Sequence, residues 1–140
     1  MSVRTFFDTN VLVYAFDRDA PEKRRTAMRR LKEHGESGTL VISTQVLSEF
    51  YVSVTRKLAR PLSEDDAAEV LEQLSTFPVV VTDVPLVLRS VALARRAKLS
   101  YWDAMILQAA VEARCAELLS EDFQAGAILE NVRIRNPYAE

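Results

Sequence analysis

The strongest constraint on the fold is a series of short, largely apolar runs rich in β-branched and aromatic residues, set apart by longer stretches with helical spacing. The runs are Val3–Phe7, Leu40–Ile42, Pro78–Thr82 and Ala116–Leu119, with Val132–Ile134 as a further edge strand before the Asn136-Pro137 stop. Between them, Pro21–His34 opens with proline in a first helical turn and closes at Gly35. Gln45–Leu58 repeats apolar residues at Val46, Leu47, Phe50, Tyr51, Val54 and Leu58. Ser63–Ser75 begins on a capping box with acids in its first turn, Val84–Ala97 reads as helical, and Trp102–Ala113 places Trp102, Met105, Ile106, Ala109 and Ala113 on one face. Strands that need no polar alternation are buried on both faces. The pattern therefore predicts an α/β fold: a central, mostly parallel sheet of about five strands, flanked by helices on both faces.

With 140 residues and no internal repeat or linker, residues 1–140 are expected to form one domain. Eighteen Lys and Arg against twenty Asp and Glu leave a formal charge of -2, so no cationic surplus is available for sequence-blind binding of nucleic acid. The apolar runs are interrupted too soon for a membrane span, and Asp8 breaks the N-terminal one, so a cytoplasmic protein without membrane contact is expected. Cys115 and His34 are each the only residue of their kind, which excludes an internal disulfide, a zinc site of thiolates and imidazoles, and a Cys-His nucleophile pair. His34, in Lys32-Glu33-His34-Gly35, reads as a solvated helix end. Three glycines, Gly35, Gly38 and Gly126, cannot supply a dinucleotide fingerprint or a phosphate loop.

In an open parallel sheet, ligands collect beyond the carboxyl ends of the strands. Asp8 directly follows the first strand and Asp122 the strand Ala116–Leu119; each could equally be a cap or turn residue. Asp103 completes the capping box Ser100-Tyr101-Trp102-Asp103, yet its helical neighbours Ile106, Leu107 and Ala110 are apolar, which puts its carboxylate at the rim of a buried face. Glu49 lies in the helix that leaves Leu40–Ile42, where a solvated polar stripe would also account for it. What links the four is topology: a helix leaving a parallel strand and a helix leading into one both start at the carboxyl edge. Two carboxylates ~4 Å apart repel by about 4 kcal/mol at an effective dielectric near 20, so such a cluster calls for counter-ions. All-oxygen donors favour Mg2+ or Mn2+, and one or two such ions would turn a phosphate-repelling site into one suited to in-line phosphodiester hydrolysis by a metal-activated water.

Four stretches carry a family likeness: FDTNVLVYAFD at Phe7–Asp17, TQVLSEFY at Thr44–Tyr51, WDAMILQAA at Trp102–Ala110 and LLSEDFQAG at Leu118–Gly126. In combination and order they resemble the PIN-domain family, and within it the VapC-type toxins of bacterial toxin–antitoxin pairs, over essentially the whole chain. The resemblance carries the family's acidic quartet onto Asp8, Glu49, Asp103 and Asp122 as catalytic metal ligands, and its polar helpers onto Asn10 and Ser120, with Thr9 a further candidate. It implies a Mg2+- or Mn2+-dependent endoribonuclease that cuts RNA, a cognate antitoxin protein that silences it, and a homodimer. Glu121 is a candidate extra ligand or an exposed turn residue. Lys23, Arg24, Arg25, Arg29 and Arg30, with Arg56, Lys57 and Arg60, are candidate RNA contacts or solvated helix faces. Trp102 and Tyr101 could stack on a base, or pack in the core or at its rim.

Other readings fit less well. A dehalogenase-like phosphatase needs a second Asp where Asn10 stands, and a receiver domain needs an adjacent acidic pair there and a lysine after a late strand. A catalytically silent RNA- or protein-binding module would have no use for four repelling carboxylates. A DNA nuclease of the same fold is the nearer alternative, since nothing in the sequence identifies a reader of the 2′-hydroxyl.

Overall fold

The computed structural model describes residues 3–140. Strands β1 (Thr5–Phe7), β2 (Leu40–Ser43), β3 (Val79–Val80), β4 (Glu117–Leu119), β5 (Ile128–Leu129) and β6 (Val132–Arg135) form one six-stranded sheet in the order β3-β2-β1-β4-β6-β5. All neighbours are parallel except the β5–β6 hairpin. Helices α1 (Thr9–Tyr14), α2 (Pro21–Ser37), α3 (Thr44–Val52), α4 (Glu64–Leu74), α5 (Val84–Ala97) and α6 (Tyr101–Glu112) connect the strands. Every residue of β1 and β2 is buried, as strands covered on both faces must be. Phe6, Phe7, Leu40, Ile42, Phe50, Leu107, Leu118 and Ile134 belong to one continuous core.

The α/β fold and mostly parallel sheet expected from the sequence are present, with six strands rather than about five. The extra strand is β5, and it displaces β6 from the expected edge to a place between β4 and β5. Two residues are too few to show alternation. The turn joining β5 to β6 also lacks the usual glycine: Glu130 and Asn131 both adopt positive φ, 50° and 66°, as a tight two-residue hairpin turn requires. Helix α2 runs past the expected stop at Gly35 and ends at Gly38, whose φ of 73° provides the left-handed cap. Gly35 stays helical and faces the Phe77 ring, 3.4 Å from where a Cβ would stand.

That extension reverses the reading of His34. It is 5% exposed, not a solvated helix end; its Nδ1 lies 2.8 Å from Thr39 Oγ1 and its ring meets Phe7 edge-on at 5.4 Å. The predicted helix Gln45–Leu58 is α3 followed by a π-helical turn over Ser53–Lys57, in which Leu58 N donates to Ser53 O at 3.2 Å. In α6, Ala104 to Ala110 are all buried, so this helix is enclosed all round, while Trp102, placed on its apolar face by sequence, is 62% exposed.

Candidate active site

β1 and β4 lie side by side with Phe7 opposite Leu119, so the residues that follow them, Asp8 and Ser120, emerge at the same sheet edge. Asp8 N donates to Leu119 O and keeps the two chains together one step beyond the strands. The helices complete the edge. Ser43, at the end of β2, caps α3 by accepting from Val46 N, and Ser100 caps α6 by accepting from Asp103 N at 3.1 Å. Glu49 is thereby brought in from the second turn of α3, and Asp103 from the first turn of α6.

Asp8 is the anchor. Its carboxylate is 5% exposed, and both oxygens are held: Oδ1 accepts from Thr9 N at 2.7 Å, and Oδ2 from Ser120 Oγ at 2.7 Å and Asn10 Nδ2 at 3.4 Å. Asn10 is the bridge. Its Nδ2 also donates to Asp122 Oδ2 at 3.1 Å, while its Oδ1 accepts from Glu121 N at 3.3 Å. Ser120 Oγ in turn accepts from Asp122 N at 3.1 Å. Glu49 is fixed separately, with Oε1 accepting from Thr9 Oγ1 at 2.8 Å and Oε2 from Gln45 Nε2 at 3.3 Å. Gln45 also reaches Trp102 O at 3.3 Å and so ties α3 to the start of α6.

Asp8 and Asp103 both feel the charges of Asp122 and Glu49. Burial pushes the Asp8 carboxyl up to about 6 against its Ser120 and Thr9 hydrogen bonds, and the negative charges of Asp122 and Glu49 push the same way. Asp103 is raised too, by burial and by those same two charges, opposed by Ser100. The donor set of carboxylate, hydroxyl and amide oxygens suits a hard cation. Among the described residues, however, no three acidic, histidine or cysteine side chains are already gathered around one point. The carboxylates share an edge and a field without forming a finished ligand shell. The neutral groups link them: Asn10 and Ser120 join Asp8 to Asp122, and Thr9 joins Asp8 to Glu49.

Each candidate can now be placed. Asp8, Asn10, Ser120 and Asp122 form one hydrogen-bonded unit, Thr9 joins it to Glu49, and Asp103 is coupled through the field of Asp122 and Glu49. Glu121 is neither free nor turned to the carboxylates: it pairs with Lys23 Nζ at 2.9 Å and accepts from the Tyr14 hydroxyl at 2.7 Å. Burial works to raise Glu121, but Tyr14 and Lys23 outweigh it and hold the carboxyl below its usual range. Lys23 thus belongs to the wall of the site, clamping the Ser120–Asp122 loop to α1 and α2. Tyr14 was not legible in the sequence as part of this clamp, whereas Gln45, four residues before Glu49, stood on the same helix face. Arg30 and Arg60 pair with Glu140 and Asp19. Arg18, Arg24 and Arg25 border a separate small hollow at the start of α2. Lys57 lines a groove of about 640 Å³ that opens beside Glu49, Asn10 and Asp122. Tyr101 and Trp102 meet edge-on at 5.2 Å at the head of α6.

Three comparisons bear on this arrangement. A search of curated proteins finds no match. Among solved structures, the chain is similar to a toxin–antitoxin complex from Klebsiella pneumoniae, with 28% identity and a TM-score of 0.70 over 96% of this chain and 98% of that one. It shares its fold with a chain of FitAB bound to a DNA fragment, at 19% identity and a TM-score of 0.71 over 96% of this chain and 95% of that one. It likewise shares its fold with VapC20 of Mycobacterium tuberculosis, described as a sarcin-ricin-loop-cleaving toxin, at 18% identity and a TM-score of 0.68 over 90% and 97%. The sequence profile of the PIN domain matches residues 5–128, from the first residue of β1 through the loop bearing Asp122 to the start of β5, and the chain therefore belongs to the PIN-domain family.

Proposed function

We propose that this chain is a divalent-metal-dependent endoribonuclease and the toxin of a toxin–antitoxin pair, the whole of residues 1–140 serving as one nuclease domain. The observation that carries the reading is the convergence of Asp8, Glu49, Asp103 and Asp122, drawn from four separate elements, on one sheet edge beside an open groove. Isolated helix caps would not couple electrostatically in this way. A Mg2+ or Mn2+ ion held by these carboxylates would supply an acidified water and charge neutralisation for phosphodiester hydrolysis. The chain's own residues do the rest. Ser120, Thr9 N and Asn10 fix Asp8, Asn10 sets the place of Asp122, and Thr9 with Gln45 sets that of Glu49. The Lys23–Glu121–Tyr14 clamp prevents the Asp122 loop from lifting off α1.

The antitoxin partner is supported by the likeness to the Klebsiella toxin–antitoxin complex across nearly the full length of both chains. RNA as substrate rests on the motif resemblance. A homodimer is supported by the exposed apolar stripe Val84, Leu88 and Val91 along α5, continued by Val81. No helix among the described residues is long and apolar enough to cross a membrane. The test is direct: protein freed of antitoxin should cleave RNA with Mg2+ or Mn2+, stop in chelator and leave 5′-phosphate ends. Cleavage that persists in chelator would overturn the metal mechanism, and cleavage of single-stranded DNA alone would replace RNA by DNA as the substrate.

A further inference from the structure

The groove beside the carboxylates is lined by acidic and apolar side chains together, Glu49, Asp122 and Asp17 with Val13, Val52 and Leu58. Its volume of about 640 Å³ lies within the ~300–1,000 Å³ typical of ligand pockets, and Val52 is 47% exposed. Among the described residues that line it, Lys57 is the one cation, and it takes part in none of the ion pairs of this chain.

The π turn separates Lys57 from Arg56 at the groove. Glu49, Val52 and Ser53 follow α-helical spacing along the groove face, and an uninterrupted α-helix would present Arg56 and Lys57 together, at i+4 from Val52 and from Ser53. The π turn adds one residue to the winding, closed by the Ser53 O to Leu58 N bond, and so shifts the register of the face by one. Lys57 lines the groove and Arg56 does not. The wider turn is supported by Thr55, whose hydroxyl donates to Tyr51 O at 2.6 Å. A wide turn is less well bonded than the α-helix it replaces, and here Lys57, without Arg56, lines the groove with Glu49 and Asp122.

We propose that Lys57 binds the phosphate next to the scissile one, so that a single-stranded nucleic-acid segment runs along the groove with its neighbouring base against Val13, Val52 and Leu58. The assignment rests on the nuclease reading above and deepens it. Charge complementarity selects the occupant. The carboxylates of the groove accept a phosphate only with a cation present, whereas Lys57 accepts one unaided, and Val13, Val52 and Leu58 offer a base apolar contact. A phosphate anchor acts on ground state and transition state alike, so it lowers KM and leaves kcat little changed.

Binding of a fluorescein-labelled, mixed-sequence single-stranded RNA is measured by anisotropy in Mg2+ over a salt series, in an Asp103→Asn background so that the probe is not consumed. Cleavage by the otherwise native protein is followed in parallel. Lys57→Met should weaken binding about fivefold or more and reduce the slope of log K against log salt by about 0.7, the loss of one phosphate contact. In cleavage it should raise KM by a similar factor with kcat within about twofold, and Lys57→Arg should restore both. Arg56→Met, and Lys32→Met on α2 away from the groove, should bind nearly as the parent does. Parental binding by Lys57→Met, or equal loss in Arg56→Met, overturns the proposal while leaving the nuclease reading in place. That includes the case in which Lys57 serves a protein partner. Failure of the native protein to bind or cleave any RNA or DNA overturns the nuclease reading, and this assignment with it.

Discussion

Asp8 carries a conflict between burial and charge, which protonation removes and a bound cation would remove as well. Its folded-state carboxyl titrates at about 6 against an ordinary value of 3.8. Below about pH 4 the group is protonated in folded and unfolded chains alike and costs nothing. As pH rises toward 6, the unfolded chain ionises first and stability is lost, by about 2–3 kcal/mol once the folded group has ionised too. In chelator, Asp8→Asn should therefore melt several degrees higher than the parent at pH 7.5, with the difference closing near pH 4; added Mg2+ should stabilise the parent and not the variant. Melting curves followed by circular dichroism check both. A lower melting temperature for the variant at pH 7.5 would make Asp8 a structural cap. Glu121 poses the opposite case, a carboxylate fully engaged by Lys23 and Tyr14. Glu121→Gln loses the ion pair but keeps the shape, and should lower kcat about tenfold by loosening the Asp122 loop while KM changes little. Steady-state cleavage kinetics would distinguish this from a ligand role, in which turnover would vanish.

Helix α2 shows how an element can hide the place of a residue. The charged sequence around His34 points to solvent, but the helix continues to Ser37 and turns the imidazole under the sheet against Phe7 and Thr39. Burial holds His34 below its usual pKa. Its contribution to stability is therefore complete above about pH 6.5 and falls as pH drops through the lower folded value. His34→Ala should cost about 2–3 kcal/mol at pH 7.5, from a lost hydrogen bond and a small cavity, and less at pH 5; urea melts at the two pH values check it. The same elements mark the limit of sequence reading. Buried strands β1, β2 and β4 were legible because their apolar runs admit one interpretation, and the placing of Asp8, Glu49, Asp103 and Asp122 toward one sheet edge was legible because parallel topology fixes where strands end and helices begin. Strand β5, the π turn and the Tyr14–Lys23–Glu121 clamp were not. Each depends on contacts between distant segments: a hairpin turn without glycine, a one-residue change of winding, and a clamp linking positions 14, 23 and 121.

Across the whole molecule, the net charge of -2 means that the proposed RNA binding would depend on local features, a divalent cation and single groups such as Lys57. The face of α5 is the other large-scale feature, since Leu88 is 65% exposed with Val84 and Val91 beside it. Leu88→Asp should shift the native protein from dimer to monomer in sedimentation velocity while costing no more than about 1 kcal/mol of stability, as expected of a solvent-facing position. A parent that is already monomeric would overturn the dimer. The sheet order also has a consequence in time. β1 lies between β2, which is made early, and β4, which is made after residue 116, so Asp8 has no Ser120 or Asp122 beside it until most of the chain has been synthesised. A nascent chain therefore cannot assemble the proposed centre until the segment carrying Ser120 and Asp122 has left the ribosome.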